Sequence, residues 1–264
     1  MLTIRQAQLD TLADWRARDF EDRALAHLQR WMPRHCNLLG AEPMRRVVRQ
    51  GLAKARHYGL GAECTVIGYV DLMCLLGSGF DLDPLLPWAA EILNEPPRAD
   101  PVERGDRLYD AAWSYIDRIV ADYRDAGGKP LTERLVVLLR EARSSARDEL
   151  VDDAMPAFAV ELQQTLAQYF PAKTALVGAG RIAALALDAR RRALQHGFRS
   201  LRGTRVVALL MFILGAGFDA DPLLPWLPPL LAAADDEQAR IDQLLARGAE
   251  TLRRWWDFER AGAH

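Results

Sequence analysis

The chain has 264 residues, half of them hydrophobic, which is enough for two small domains or one large one around a substantial core. Its formal net charge of −2 does not favour a protein that holds nucleic acid through a strongly basic surface. The longest uncharged run, Val206–Phe218, is too short to span a bilayer. We therefore expect no nucleic-acid partner and no membrane insertion.

Apolar residues recur at helical spacing along nearly the whole chain, and no segment alternates apolar and polar residues as a half-buried strand does. Proline, glycine and capping residues divide this pattern into helices joined by short loops. The predicted helices run over residues 3–32, 43–58, 65–76, 83–94, 102–125, 132–146, 152–170, 181–196, 204–214, 222–233 and 237–260. The pattern predicts an all-α fold.

One sequence block occurs twice. LGSGFDLDPLLPW spans Leu76–Trp88, and LGAGFDADPLLPW spans Leu214–Trp226. The match extends backward without a gap to Phe20 and Phe158. A block repeated at fixed spacing is typical of a chain built from similar units.

The strongest boundary signal is the run Gly-Gly-Lys-Pro at residues 127–130. We therefore predict two similar multi-helix units, residues 1–126 and residues 131–264, that form a pseudo-duplicated helical bundle. The second unit also serves as an internal control, because a site that both units use should keep its residues in both.

The segment Gly178-Ala179-Gly180-Arg181-Ile182-Ala183 matches the dinucleotide-binding pattern GxGxxG/A. That chemistry needs a strand before the glycines and a βαβ unit around them. The equivalent stretch of the first unit keeps only Gly40, and no βα alternation surrounds either copy. We predict a turn between helices and no bound cofactor.

The repeated block carries four aspartates that could bind a cation or divide acid and base roles, namely Asp81, Asp83, Asp219 and Asp221. Capping of the following helix accounts for the Asp–Pro steps more directly, because an aspartate accepts from the first backbone N–H groups of a helix. The cysteines, Cys36, Cys64 and Cys74, are not shared by the second unit, and the histidines form no metal-ligand pattern. We expect no metal ion and no enzymatic activity.

Basic residues cluster around His196, and two tryptophans are adjacent near the end of the last predicted helix. A basic stripe can hold an acidic protein partner, although it can also be a solvated helix face or pair with acidic segments inside the fold. Adjacent helical tryptophans point about 100° apart and do not easily share one buried seam. The candidate partner-binding residues are Arg190, Arg191, Arg199, Arg202, Trp255 and Trp256.

The starting segment MLTIRQAQ, the YGLGAE turn and the LGSGFDLDPLLPW block together resemble a group of bacterial proteins encoded near type VI secretion spike, adaptor and toxin genes. The resemblance covers roughly Met1–Asn94. The second unit keeps the block but has His-Gly-Phe-Arg-Ser-Leu in place of the turn. The resemblance implies a secretion-associated bacterial context and supplies no catalytic residues.

These observations favour a non-enzymatic helical interaction protein, an adaptor or chaperone that binds a toxin effector or its carrier. One alternative is an immunity protein that neutralises a cognate toxin in the cytosol. The other alternative is a metal-dependent hydrolase that uses the repeated aspartates. The first residues lack the apolar stretch of a secretory signal and the cysteines suit a reducing compartment, so we expect a cytoplasmic location.

Overall fold

The computed structural model describes the backbone of residues 6–96, 100–123, 150–232 and 236–261, with six single positions between 135 and 148. The side chains of residues 6–14, 252–253 and 255–261 lie outside this description. Within it every regular element is a helix and no β-strand occurs, which confirms the all-α prediction.

Twelve α-helices have defined bounds in the described part of the chain. In the first half they are α1 Gln6–Trp31, α2 Pro33–Leu39, α3 Ala41–His57, α4 Glu63–Leu76, α5 Pro87–Leu93 and α6 Pro101–Tyr123. In the second half they are α7 Met155–Tyr169, α8 Pro171–Val177, α9 Ala179–Gln195, α10 Leu201–Leu214, α11 Leu227–Leu231 and α12 Glu237–Ala261. Most of the helix predicted for residues 132–146 lies outside the described residues.

The helix bounds of the two halves correspond in the alignment that the sequence block defines. Helices α2, α3 and α4 have the same lengths as α8, α9 and α10, and each begins at the position aligned with the start of its counterpart. Both α4 and α10 end at a glycine with a φ of 93°, Gly77 and Gly215, a conformation that other residues rarely adopt. The same local sequence therefore produces the same helix stop in both halves.

The last helix of each half is tied to an earlier helix by a buried arginine. Arg104 of α6 donates to the carbonyl oxygen of Tyr58, which follows α3, and Arg240 of α12 donates to that of His196 over 2.8 Å. A cation at a helix C-terminus satisfies unpaired carbonyl groups and complements the helix dipole. Arg104 and Arg240 make the same contact, so α12 corresponds to α6. The sequence separation between these two arginines is slightly shorter than the separation between the two repeated blocks.

Each half has its own hydrophobic core, and the two cores exchange a leucine. Leu85 of the first half is buried in the core of the second, and Leu223 of the second packs against the core of the first. The exchange continues in the helices, because α6 packs against α8 and α12 packs against α2. Asp122 of α6 also accepts the backbone N–H groups of Ala172 and Lys173 at the start of α8.

The two repeated blocks face each other where the halves meet. A Cβ atom at Gly79 would lie 2.9 Å from the Cα of Gly217, and a Cβ at Gly217 would lie 3.0 Å from the Cα of Gly79. Such distances leave no room for a side chain on either backbone. Gly79 and Gly217 must therefore be glycine, because the backbone of the other half lies too close for a side chain.

One helix and its counterpart begin later than the sequence predicts. The helix predicted to begin at Asp83 begins at Pro87, because residues 83–86 form a turn, and its counterpart begins at Leu227. Among the described residues, no helix combines the length and apolar character needed to cross a membrane.

Replacing Gly79 by alanine tests the close approach of the two blocks. We expect Gly79→Ala to lower the free energy of unfolding by about 1–3 kcal/mol, since the new methyl group must push two backbones apart. Gly180→Ala is the matched control, because its Cβ meets no atom within 4 Å on α9 and alanine favours a helix. Urea unfolding of both variants checks this; equal stability would contradict the close contact.

Candidate functional site

Asp83 and Asp221 bridge the junction of the two halves in a reciprocal way. Asp83 accepts the backbone N–H of Leu85 in its own half (2.8 Å) and that of Ala216 in the other half (3.0 Å). Asp221 accepts the N–H of Leu223 in its own half and that of Ser78 across the junction, both at 2.8 Å. The two carboxylates thus fix the turns of the repeated blocks and join them.

Both junction carboxylates are almost fully buried. Burial raises the pKa of Asp83 and of Asp221 above the ordinary range, and the backbone N–H donors to each carboxylate oppose that shift. Asp83 is 4% exposed and Asp221 is 3% exposed. Their hydrogen bonds assign them to the joining of the halves.

The other two aspartates of the repeated blocks bind cationic side chains of the preceding helices. Asp81 accepts from the Nζ of Lys54 (2.7 Å) and the hydroxyl of Tyr58 (3.0 Å), and burial is the main reason that the pKa of Tyr58 rises to about 12. Asp219 contacts Arg192 at 3.1 Å and His196 at 3.3 Å. In the described residues no three His, Cys, Asp or Glu side chains are arranged to hold a metal ion.

The segment that resembles a nucleotide-binding loop lies between two helices. Gly178 separates α8 from α9, and its backbone N–H donates to the carbonyl oxygen of Thr174. The chain before it is helical, so the strand that a dinucleotide site requires is not there.

Two of the predicted partner-binding arginines are inside the protein. Arg202 is 0% exposed and donates to Gln238 and Asp242 of α12. Arg190 is buried and donates to the carbonyl oxygens of Arg199 and Leu150. Because both arginines are buried and donate to acceptors within the second half, they hold that half together and are not available at its surface.

The other candidates divide into two groups. Arg191 and Arg199 are exposed, and Arg191 pairs with Asp188 one turn earlier on α9. Trp255 and Trp256 lie on α12, but their side chains are outside the described residues. Of the four candidates whose side chains are described, Arg191 and Arg199 therefore lie on the surface.

Several apolar side chains are exposed on α7 and on α9, the helix that carries Arg191. Val160 of α7 is 57% exposed, and Leu187 and Leu194 of α9 are 61% and 47% exposed. Ala183 and Ala184 of α9 are exposed as well. We refer to these five residues together with Arg191 as the α7/α9 face. An exposed apolar surface of this kind commonly marks a site of interaction.

The corresponding surface of the first half is held by ion pairs. Arg45 of α3 pairs with Asp22 of α1 at 2.6 Å, and Arg49 pairs with Glu21 at 3.0 Å. In the alignment of the repeated block, these four positions become Ala183, Val160, Leu187 and Ala159. The second half has therefore replaced two surface ion pairs with apolar residues, a difference that a position-by-position comparison of the two halves could have revealed.

A cleft of about 540 Å³ lies between the halves beside the junction. Its base includes Leu76, Gly77, Leu214 and Gly215, where the two helix stops meet. One wall is formed by Tyr115, Ile116, Ile119 and Val120 of α6, and α12 contributes Arg247, Glu250, Thr251 and Arg254. Sequence reasoning missed this cleft, because it forms only when separate helices from both halves are brought together.

Comparison with known proteins adds no relative to this description. No protein-family model, curated protein sequence or solved structure matches the chain.

Substitutions at Asp221 test the role of the junction carboxylates. Asp221→Ala leaves the N–H groups of Ser78 and Leu223 without their acceptor, so we expect the free energy of unfolding to fall by about 2–4 kcal/mol. Asp221→Asn keeps an acceptor oxygen and should cost less. Urea unfolding of each variant gives the measurement.

The same carboxylate should give a defined pH dependence. Because the pKa of Asp221 is raised in the folded state, its protonation favours folding, and that contribution is lost as pH rises through the folded pKa. The deficit of Asp221→Asn relative to the wild type should therefore be smaller at about pH 7 than at about pH 4.5. A deficit that does not change between these pH values would show that burial does not disfavour the ionised form.

Proposed function

We propose that this chain is a non-enzymatic interaction protein, an adaptor or chaperone of bacterial type VI secretion that binds a toxin effector or its carrier in the cytoplasm of the producing cell. The observation that supports a protein partner is the α7/α9 face. The secretion context rests on the resemblance of the first half alone.

The comparison between halves is the reason for assigning the α7/α9 face to binding. The first half carries ion pairs at this surface, Arg45 with Asp22 and Arg49 with Glu21. In the second half, Leu187 and Leu194 stand at the positions that align with Arg49 and Arg56. Both leucines are exposed, so apolar surface faces the solvent there. That exposure is unfavourable in the free protein and becomes favourable when a partner covers it.

The chemistry of the face indicates the chemistry of the partner. Val160, Leu187 and Leu194 offer apolar side chains, Arg191 supplies an exposed guanidinium group on the same helix as the two leucines, and Arg199 is exposed in the loop after α9. Apolar centres with charged borders are typical of protein interfaces. The partner surface should therefore be apolar with at least one carboxylate that reaches an arginine.

Substitution of Leu187 and Leu194 by arginine tests this proposal. The first half folds with arginine at both equivalent positions, so Leu187→Arg and Leu194→Arg should leave the melting temperature nearly unchanged. Co-expression with the toxin, spike and adaptor products of adjoining genes should give a complex with the wild type. The double variant should reduce its affinity by about 100-fold, as loss of central contacts does.

Leu82→Arg is the matched control, because Leu82 is 72% exposed and lies outside the α7/α9 face. It should not alter capture. A complex that survives the double variant would contradict the proposed surface, and self-association of the wild type that the double variant abolishes would indicate a homodimer interface. Protection of cells from the toxin by this chain alone would indicate the immunity role instead.

The metal-dependent hydrolase predicts that metal ions raise the melting temperature, whereas the interaction protein predicts that they do not. Asp81 and Asp219 hold Lys54 and Arg192, so we expect Mg²⁺, Mn²⁺ or Zn²⁺ to leave the melting temperature unchanged. A bound ion would stabilise the folded state by an amount that rises with the logarithm of its concentration above Kd. A metal-dependent rise that disappears in Asp81→Asn or Asp219→Asn would support the hydrolase.

A further inference from the structure

The cleft between the halves has the capacity of a ligand site. Its volume of about 540 Å³ falls in the range of pockets that enclose small molecules. Both halves contribute to it, through α4 and α6 on one side and α10 and α12 on the other. It is separate from the α7/α9 face, so what it binds is independent of the proposed protein partner.

The interior of the cleft offers mainly hydrocarbon contacts. The carboxylates of Asp83 and Asp221 are occupied by backbone N–H groups. The Nζ of Lys173 donates to the carbonyl oxygen of Phe212, and burial lowers the pKa of His35 to about 4, which leaves its ring neutral at physiological pH. A ligand in this interior therefore gains most from an apolar chain, because unpaired polar groups are costly to bury.

The two long walls of the cleft differ in chemistry. The α6 wall is aromatic and aliphatic, with Tyr115 and Ile119 buried and Ile116 partly exposed. In the alignment that matches α6 with α12, Tyr115 corresponds to Thr251, and charged side chains surround Thr251 on α12. One side of the cleft thus favours hydrocarbon, and the other favours an ionic group.

The α12 side has an excess of positive charge. Glu250 accepts from Arg247 over 2.6 Å and from Arg254 over 2.7 Å, so two guanidinium groups share one carboxylate. Each guanidinium has five N–H donors, and its bond to Glu250 uses only part of that capacity. An anion at this edge would complete the neutralisation of the pair and accept charge-assisted hydrogen bonds.

We propose that the cleft binds a single-chain amphiphile with one negative charge, such as a long-chain carboxylate. The hydrocarbon chain lies along the α6 wall, and the head group contacts Arg247 and Arg254. We take the ligand to be a free molecule and not a lipid within a bilayer, because residues from both halves of one protein line the cleft.

Isothermal titration calorimetry of the full chain tests the proposal with three probes of equal chain length: dodecanoate, dodecanol and dodecyltrimethylammonium. The two ionic probes are kept below their critical micelle concentrations, and dodecanol is kept below its solubility limit. Dodecanoate should bind saturably at one molecule per chain. Its affinity should exceed that of dodecyltrimethylammonium by about tenfold or more, as expected for a charge-assisted contact. Equal affinity for the three probes would overturn the role of the two arginines, and no saturable binding would overturn the site.

Two variants locate the binding. Ile116→Trp places a larger side chain in the α6 wall and should abolish binding of all three probes. Arg254→Glu changes an exposed position, so it preserves the test if Ile116→Trp does not fold, and it should remove the preference for dodecanoate. Arg18→Glu is the matched control, since Arg18 is also exposed on a long helix but lies outside the cleft.

Flotation with phosphatidylglycerol vesicles distinguishes a free amphiphile from a membrane lipid. We expect the protein to remain with the soluble fraction while it binds dodecanoate. Flotation with the vesicles in the absence of saturable dodecanoate binding would overturn the proposal in favour of a lipid surface. Leu187→Arg should not change dodecanoate binding, so a failure of the cleft and a failure of the α7/α9 face give different results.

Discussion

The structure depends on two buried carboxylates that each accept one N–H from their own half and one from the other. Asp83 and Asp221 are held at the junction by the close approach of Gly79 and Gly217, and the helix stops at Gly77 and Gly215 set the turns that carry them. Without the glycines the backbones could not meet. Without the carboxylates the buried N–H groups would have no acceptor.

Both candidate surfaces occur where the halves have diverged around this shared junction. The α7/α9 face lies where ion pairs of the first half have become apolar, and the cleft has an aliphatic wall from α6 and a charged side from α12. Residues that remain the same in both halves serve the turns and the junction. Function is thus expected where the two halves differ.

The helices could be predicted from the sequence because their apolar spacing and their proline and glycine boundaries are local properties. The predicted start of α5 at Asp83 is wrong because residues 83–86 form a turn, in which Asp83 accepts the N–H of Leu85 and, across the junction, that of Ala216. Arg190 and Arg202 were assigned to the surface for a related reason. Their acceptors lie far away in sequence, so their burial depends on packing between distant helices.

The exchange of Leu85 and Leu223 affects how the two halves unfold. Each leucine belongs by sequence to one half and packs in the core of the other, so neither core can open without exposing apolar surface in both. Local fluctuations in one half are thereby coupled to the other. A chain with two separate cores should therefore lose its structure in one cooperative transition, with no stage at which one half remains folded alone.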